Sequence, residues 1–66
     1  MVITINGKSE DIQAAVLPDL LNAKQIEPQM VAVEVNDVVI ERNRLSSTSL
    51  KEGDRVEFLF YMGGGR

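Results

Sequence analysis

Residues 54–61 have the sequence DRVEFLFY, which predicts a β-strand in the interior of a sheet. Alternate side chains of a strand face opposite sides, so Val56, Phe58 and Phe60 would share one face. Leu59 falls on the other face. Apolar residues on both faces are typical of a strand that has neighbours on both sides. The rest of the chain is therefore interpreted as the strands and the helix that pack around this strand.

Four shorter segments predict the other strands. They alternate between apolar and polar positions or are rich in β-branched residues, and two turn signals, Asn6-Gly7 and Asn36-Asp37, separate them in pairs. The segments are residues 1–6, 8–12, 30–36 and 38–40. Because residues 8–12 are polar, that strand is expected at an edge of the sheet, where charges discourage unwanted pairing.

Between the second and third of these segments the apolar residues recur at helical spacing. Leu17, Leu20 and Leu21 are three and four positions apart, which predicts an amphipathic helix. Proline is tolerated in the first turn of a helix, so Pro18 places the start near Leu17 and the end near residues 24–25. Residues 41–49 are charged and hydroxyl-rich and predict a surface connection.

The order strand, strand, helix, strand, strand, strand predicts an α+β roll. We expect a mixed sheet of four to five strands, with the first and last strands adjacent and parallel and one helix packed on one face. The leucines of the helix would pack there on a core formed by Ile3, Ile5, Val31, Val33, Val35, Val56, Phe58 and Phe60. The other face of the sheet would remain uncovered.

The uncovered face is predicted to carry Val2, Thr4, Ala32, Leu59 and Tyr61. A contiguous group of exposed apolar residues marks partner sites, so we predict that these five residues form a docking surface. The alternative is that they are scattered apolar residues of an ordinary protein surface.

The chain is predicted to consist of one domain, residues 1–62, followed by a flexible glycine tail, residues 63–66. Three consecutive glycines have no side chains to bury, and each loses more backbone freedom on ordering than any other residue. The alternative is an inert terminus, since chain ends are often poorly ordered.

The composition excludes most catalytic chemistry. The 66 residues include no Cys and no His, so disulfides, thiolate nucleophiles, Ser/His/Asp arrangements and all metal sites except carboxylate-only ones are excluded. A net charge of −3 disfavours nucleic-acid binding, which needs clustered Lys and Arg. We expect no catalytic residues and no bound metal.

No membrane partner and no targeting segment are expected. No apolar run approaches the roughly 20 residues needed to cross a bilayer. Residues 1–5 lack the basic lead and cleavage-site pattern of a signal peptide. The sequence therefore predicts a cytoplasmic protein.

Three segments of the chain together resemble the ThiS family. They are Val31–Arg42, with its valine-rich strand and Asn turn, Leu50–Phe58, with its Leu-x-x-Gly-Asp-x-Val pattern, and the glycines 63–65. The resemblance covers essentially the whole chain. It implies a small sulfur carrier of thiamine biosynthesis with the ubiquitin-like β-grasp fold, and therefore a substrate protein that is not an enzyme.

The resemblance also implies the chemistry and the partners. An E1-like enzyme of ThiF type would use ATP and magnesium to adenylate the carboxylate of the last glycine. A sulfur donor would convert that carboxylate to a thiocarboxylate, from which a ThiG-type thiazole synthase takes the sulfur. Carried over to this chain, the reacting carboxylate belongs to Gly65, preceded by Gly64, and the chain itself binds no cofactor.

One residue departs from the family pattern, because Arg66 follows the glycines where the family ends in Gly-Gly. The resemblance then implies that a peptidase removes Arg66 before activation. Three alternatives stay open from the sequence: a sulfur carrier for molybdopterin or another sulfur metabolite, a ubiquitin-like protein modifier joined to lysines through Gly65, and a plain interaction domain with an inert tail.

Overall fold

The computed structural model describes residues 1–61, and within them it contains a five-stranded mixed sheet with one α-helix packed on one face. The strands are β1 (Val2–Ile5), β2 (Lys8–Asp11), β3 (Val31–Val35), β4 (Val38–Ile40) and β5 (Arg55–Phe60), and the helix is α1 (Leu17–Ala23). Two short 3₁₀ helices, Pro28–Met30 and Arg42–Ser47, lie in the connections. The predicted α+β architecture is confirmed.

The centre of the sheet is β5, as the sequence predicts. The strand order is β2-β1-β5-β3-β4. On one side β5 pairs in parallel with β1, where Ile5 lies opposite Val56. On the other side it pairs antiparallel with β3, where Val33 lies opposite Phe58. The polar strand β2 lies at an edge, again as predicted.

Both predicted turns close hairpins with positive φ angles. Asn6 and Gly7 have φ values of 49° and 84°, and Asn36 and Asp37 have 52° and 71°. Left-handed backbone at both central positions is the geometry that suits the twist of two-residue hairpins, and Asn, Asp and Gly adopt it most readily. These local preferences set the register of β1 with β2 and of β3 with β4.

The core lies between α1 and the sheet and includes two leucines from the connections. Its buried members are Ile3, Ile5, Leu17, Leu20, Leu21, Val31, Val33, Leu45, Leu50, Val56 and Phe58. Leu45 belongs to the segment predicted as a surface connection, and that prediction is wrong for this residue. The 3₁₀ helix Arg42–Ser47 turns Leu45 inward, beside a helix of only 7 residues that cannot cover the sheet alone.

The prediction that Phe60 belongs to the core is wrong. Its side chain is 55% exposed although it faces the helix side of the sheet, whereas Val31, its partner on β3, is buried. The parallel pairing with β1 reaches only as far as Val56. Phe60 therefore extends beyond the end of β1, and no strand among residues 1–61 lies beside it on that side.

Asp54, which the sequence pattern places at the start of the last strand, lies just before β5 and is a buried carboxylate. It is 3% exposed. Its oxygens accept hydrogen bonds from the Asn36 side chain at 3.0 Å and the Lys51 amide at 2.9 Å. The side-chain carbonyl of Asn36 in turn accepts from the Arg55 amide at 2.9 Å. Through these bonds Asp54 and Asn36 join the β3–β4 turn to the start of β5.

The environment of Asp54 keeps this carboxyl ionised. Burial by itself raises the pKa of Asp54, but the hydrogen bonds from Asn36 and the Lys51 amide, with the Lys51 charge, outweigh burial. The net effect holds the pKa of Asp54 below its ordinary value of 3.8. Because the pKa of Asp54 is lower in the folded state than in the unfolded state, this carboxyl stabilises the fold at pH values above its unfolded-state pKa. That stabilisation is lost as the pH falls through the folded pKa.

The free energy of unfolding should therefore decrease as the pH falls below about 4, and Asp54→Asn should flatten part of this decrease. At neutral pH the same substitution should cost roughly 1–3 kcal/mol, since it removes a buried, hydrogen-bonded acceptor. Urea unfolding from pH 2 to 7 measures both effects. Glu41→Gln, which removes the same charge from an exposed site, is the control. Identical pH profiles for Asp54→Asn and the unsubstituted chain would contradict the assignment.

Candidate functional site

Within residues 1–61 no element covers the face of the sheet opposite α1, as the sequence predicts. Strand alternation places ten side chains of the paired segments on it, of which Ser9 and Asp11 belong to the edge strand β2 and eight to the other four strands. The eight are Val2 and Thr4 on β1, Ala32 and Glu34 on β3, Val39 on β4, and Arg55, Glu57 and Leu59 on β5. β5 is the last of these strands in the chain, so residues 61–66 follow directly after its end.

Three of the five predicted docking residues lie together at the end of β5. Ala32 and Leu59 are directly opposite each other in the β3–β5 register. Tyr61 lies two residues beyond Leu59, and its amide donates to the Met30 carbonyl at 3.1 Å, which continues the same ladder. Leu59 and Tyr61 are 52% and 56% exposed. We call Ala32, Leu59 and Tyr61 the exit patch.

The other two predicted docking residues, Val2 and Thr4, lie elsewhere on the face. Thr4 is opposite Arg55, four residues before Leu59 on β5. At the rise of a strand this separation is about 13 Å, and Val2 lies farther still. The five residues therefore form two clusters and not the contiguous group that the sequence suggested.

Two carboxylates separate these clusters. Glu34 and Glu57 are directly opposite in the β3–β5 register and lie on the uncovered face. Like charges at this position repel each other, and nearby cations would relieve the repulsion. On the side toward the start of β5, the exit patch is thus bordered by negative charge, which fits a partner that is apolar opposite the patch and basic opposite the carboxylates.

A shallow hollow of about 190 Å³ continues the exit patch around the edge of the sheet. Tyr61 and Ala32 line it together with Val39, Glu41 and Arg42. The β3–β4 hairpin brings residues 39–42 beside the exit patch. The lining is mixed in charge and shows no arrangement of catalytic groups.

The predicted reaction site itself, Gly65 with Gly64 before it and Arg66 after it, lies outside the described residues. Within residues 1–61 no group of three or more Asp, Glu, His or Cys side chains is placed to hold a metal ion. In the same range no helix is long and apolar enough to cross a membrane.

Comparisons with known proteins identify the family. The model of the ThiS family matches residues 2–65. The sulfur carrier protein ThiS of Bacillus subtilis is 30% identical over 66 residues, which cover 97% of this chain and all of that protein. A crystal structure of the thiamine biosynthesis protein ThiS from Geobacter metallireducens matches with a TM-score of 0.83 and 40% identity, covering 98% of this chain and 100% of that one.

A third match is to a longer protein. A thiazole synthase of Magnetococcus marinus is 34% identical over 67 residues, which span all of this chain but only 21% of that protein.

The fold and these matches together define a small ubiquitin-like protein of the β-grasp class. The chain belongs to the ThiS family. Membership of this family of sulfur carriers confirms the prediction that the chain is not an enzyme.

The exposed residues of the exit patch should contribute little to folding. Leu59→Ala should change the free energy of unfolding by less than about 1 kcal/mol, because its side chain is half in solvent. Its neighbour Phe58 is 5% exposed, and Phe58→Ala should cost roughly 3–5 kcal/mol by leaving a cavity. Urea denaturation of both variants measures the difference. Equal losses would show that Leu59 serves the fold instead of a surface function.

Proposed function

We propose that this chain is the sulfur carrier of thiazole formation in thiamine biosynthesis, and that its reacting group is the carboxylate of Gly65. The observation that carries the proposal is the match of the ThiS family model to residues 2–65, which ends at Gly65 and leaves Arg66 outside. The relatives named above favour this pathway over molybdopterin synthesis, since they are named for thiamine or thiazole synthesis.

The chemistry explains why a carrier needs no catalytic side chain. A carboxylate is a poor electrophile, so an oxygen of Gly65 attacks the α-phosphorus of ATP on a ThiF-type enzyme, and pyrophosphate leaves. A sulfur nucleophile then attacks the acyl carbon and displaces AMP, which leaves sulfur on the terminal carbon. The activating enzyme must keep water from the acyl adenylate, because hydrolysis would return the carboxylate.

The composition suits this role. Because the sulfur is bound to the terminal carbon, the absence of Cys from all 66 residues is no obstacle. Glycine has no Cβ, so a Gly-Gly end can enter a narrow channel and leaves its carbonyl open to a nucleophile. The ATP and magnesium belong to the activating enzyme.

The proposed acceptor of the sulfur is a ThiG-type thiazole synthase. Support comes from the Magnetococcus marinus thiazole synthase, in which a segment similar to this whole chain forms about a fifth of the protein. Joining two proteins in one polypeptide raises their effective concentration for each other, as expected when one must repeatedly reach the other. Arg66 must be removed first, by a peptidase, because its peptide bond occupies the carboxylate of Gly65.

The chain that ends at Gly65 should therefore be adenylated, whereas the chain that ends at Arg66 should not. The Gly65→Ala variant of the shorter chain should also fail, because its Cβ crowds the channel. ATP–pyrophosphate exchange with the ThiF-type enzyme measures activation. Intact mass after addition of a sulfur donor measures the exchange of one terminal oxygen for sulfur.

Two outcomes of this experiment would contradict different parts of the proposal. Equal activation of the chain with Arg66 would disprove the need for trimming. Failure of the Gly65-terminated chain with its own activating enzyme would disprove the carrier function.

We further propose that the exit patch is the docking contact for the activating enzyme. It is apolar, exposed and carried by the strand that precedes the reacting tail. Leu59→Glu should weaken binding by about tenfold or more, since a charge in an apolar interface core is strongly unfavourable. Isothermal titration calorimetry with the ThiF-type enzyme measures the dissociation constant.

Val2→Glu is the matched control for this experiment. It adds the same charge to the same face at a similarly exposed position, 42% against 52%, but at the far end of β5 from the patch. Its dissociation constant should change little. A larger loss for Val2→Glu than for Leu59→Glu would move the docking contact to the other cluster.

A further inference from the structure

The backbone of β5 is hydrogen-bonded on both sides along only part of its length. In an antiparallel ladder, alternate residues bond to the partner strand and the others point away from it. The Asn36 amide donates to the Arg55 carbonyl at 2.7 Å, and the Tyr61 amide donates to Met30. Odd-numbered residues of β5 therefore bond to β3, and even-numbered residues point toward β1.

The bonds to the β1 side stop at Phe58. The Thr4 amide donates to Asp54 and the Asn6 amide donates to Val56, both at 2.9 Å. The chain then turns away at Asn6-Gly7. The side chain of Asn6 takes the place of a further strand residue. The side-chain carbonyl of Asn6 accepts a hydrogen bond from the backbone amide of Phe58 at 2.8 Å, and its side-chain amide donates to the backbone carbonyl of Phe58 at 3.4 Å.

The next even-numbered residue, Phe60, has no such partner within residues 1–61. Neither its N–H nor its C=O takes part in a hydrogen bond there, and both point toward the space beyond the end of β1. We call this the open edge of β5. Its flanking side chains are apolar and exposed on both faces of the sheet, Phe60 at 55% and Leu59 at 52%.

We propose that an extended segment of the activating enzyme adds to the open edge as a β-strand. It would exchange main-chain hydrogen bonds with Phe60 and place apolar side chains against Phe60 and Leu59. Strand addition to an exposed edge is a general mode of recognition, in which the main chain supplies affinity and alternate side chains supply specificity. This inference rests on the proposed function.

The position of the open edge favours an enzyme that holds the tail. Gly65 is four residues beyond Tyr61, so even a fully extended backbone places it no more than about 14 Å away. An enzyme that encloses the Gly65 carboxylate must therefore cover the end of β5. The open edge then lies within the interface with that enzyme.

A second copy of this chain fits the open edge less well. Asn6 already occupies the peptide groups of Phe58, so two copies would share little more than the peptide groups of Phe60. That contact is far below the roughly 1,200 Å² that stable interfaces bury. Each copy also carries a net charge of −3, which opposes self-association.

The test compares Phe60→Pro with Phe60→Ala in the chain that ends at Gly65. Both remove the aromatic side chain, but only proline removes the N–H and fills the open edge with its ring. Phe60→Pro should bind the ThiF-type enzyme about tenfold more weakly than Phe60→Ala, as expected for a lost hydrogen bond and a blocked edge. Equal affinities of two folded variants would overturn the inference.

Amide hydrogen exchange of the unsubstituted chain gives a second readout that does not depend on the folding of a variant. The Phe60 amide should exchange rapidly in the free chain and at least about tenfold more slowly in the saturated complex, whereas the Leu59 amide, bonded to β3, should be protected in both. A complex that activates Gly65 but leaves the Phe60 amide unprotected would overturn strand addition alone. Absence of any complex would overturn the proposed function as well.

Discussion

The pairing of β5 on both sides is the constraint on which the other features of the fold rest. A parallel partner on one side and an antiparallel partner on the other hold this strand in the middle of the sheet. The side chains of Val56 and Phe58 then complete the core against α1. Asp54 and Asn36 fix the start of the strand, and Asn6 replaces the missing continuation of β1 near its end.

This arrangement separates the stability of the protein from its proposed chemistry. The buried residues lie on the helix side, and the exit patch lies on the uncovered side at the end of the same strand. Substitutions on that side can change recognition without much change in folding. Such a division would suit the proposed recognition by several enzymes, because one surface could meet different partners while the core is unchanged.

Much of the fold could be predicted from local signals. Asn6-Gly7 and Asn36-Asp37 specify hairpins through their tolerance of positive φ, and the spacing of Leu17, Leu20 and Leu21 specifies one helix. The buried state of Leu45 and Asp54 could not be predicted, because it depends on contacts with segments distant in sequence. Alternation alone assigns Phe60 to the core, since it takes no account of where the neighbouring strand ends.

The order of the elements, the central place of β5 and the resemblance to the ThiS family could all be read from the amino-acid sequence, since each depends on residue pattern and turn preference. The separation of Val2 and Thr4 from Leu59, and the N–H and C=O of Phe60 that find no partner among residues 1–61, emerge only from the folded chain. The physical reason is the register of β1 on β5. A strand of 4 residues, Val2–Ile5, pairs with only the first part of β5 and leaves the end open.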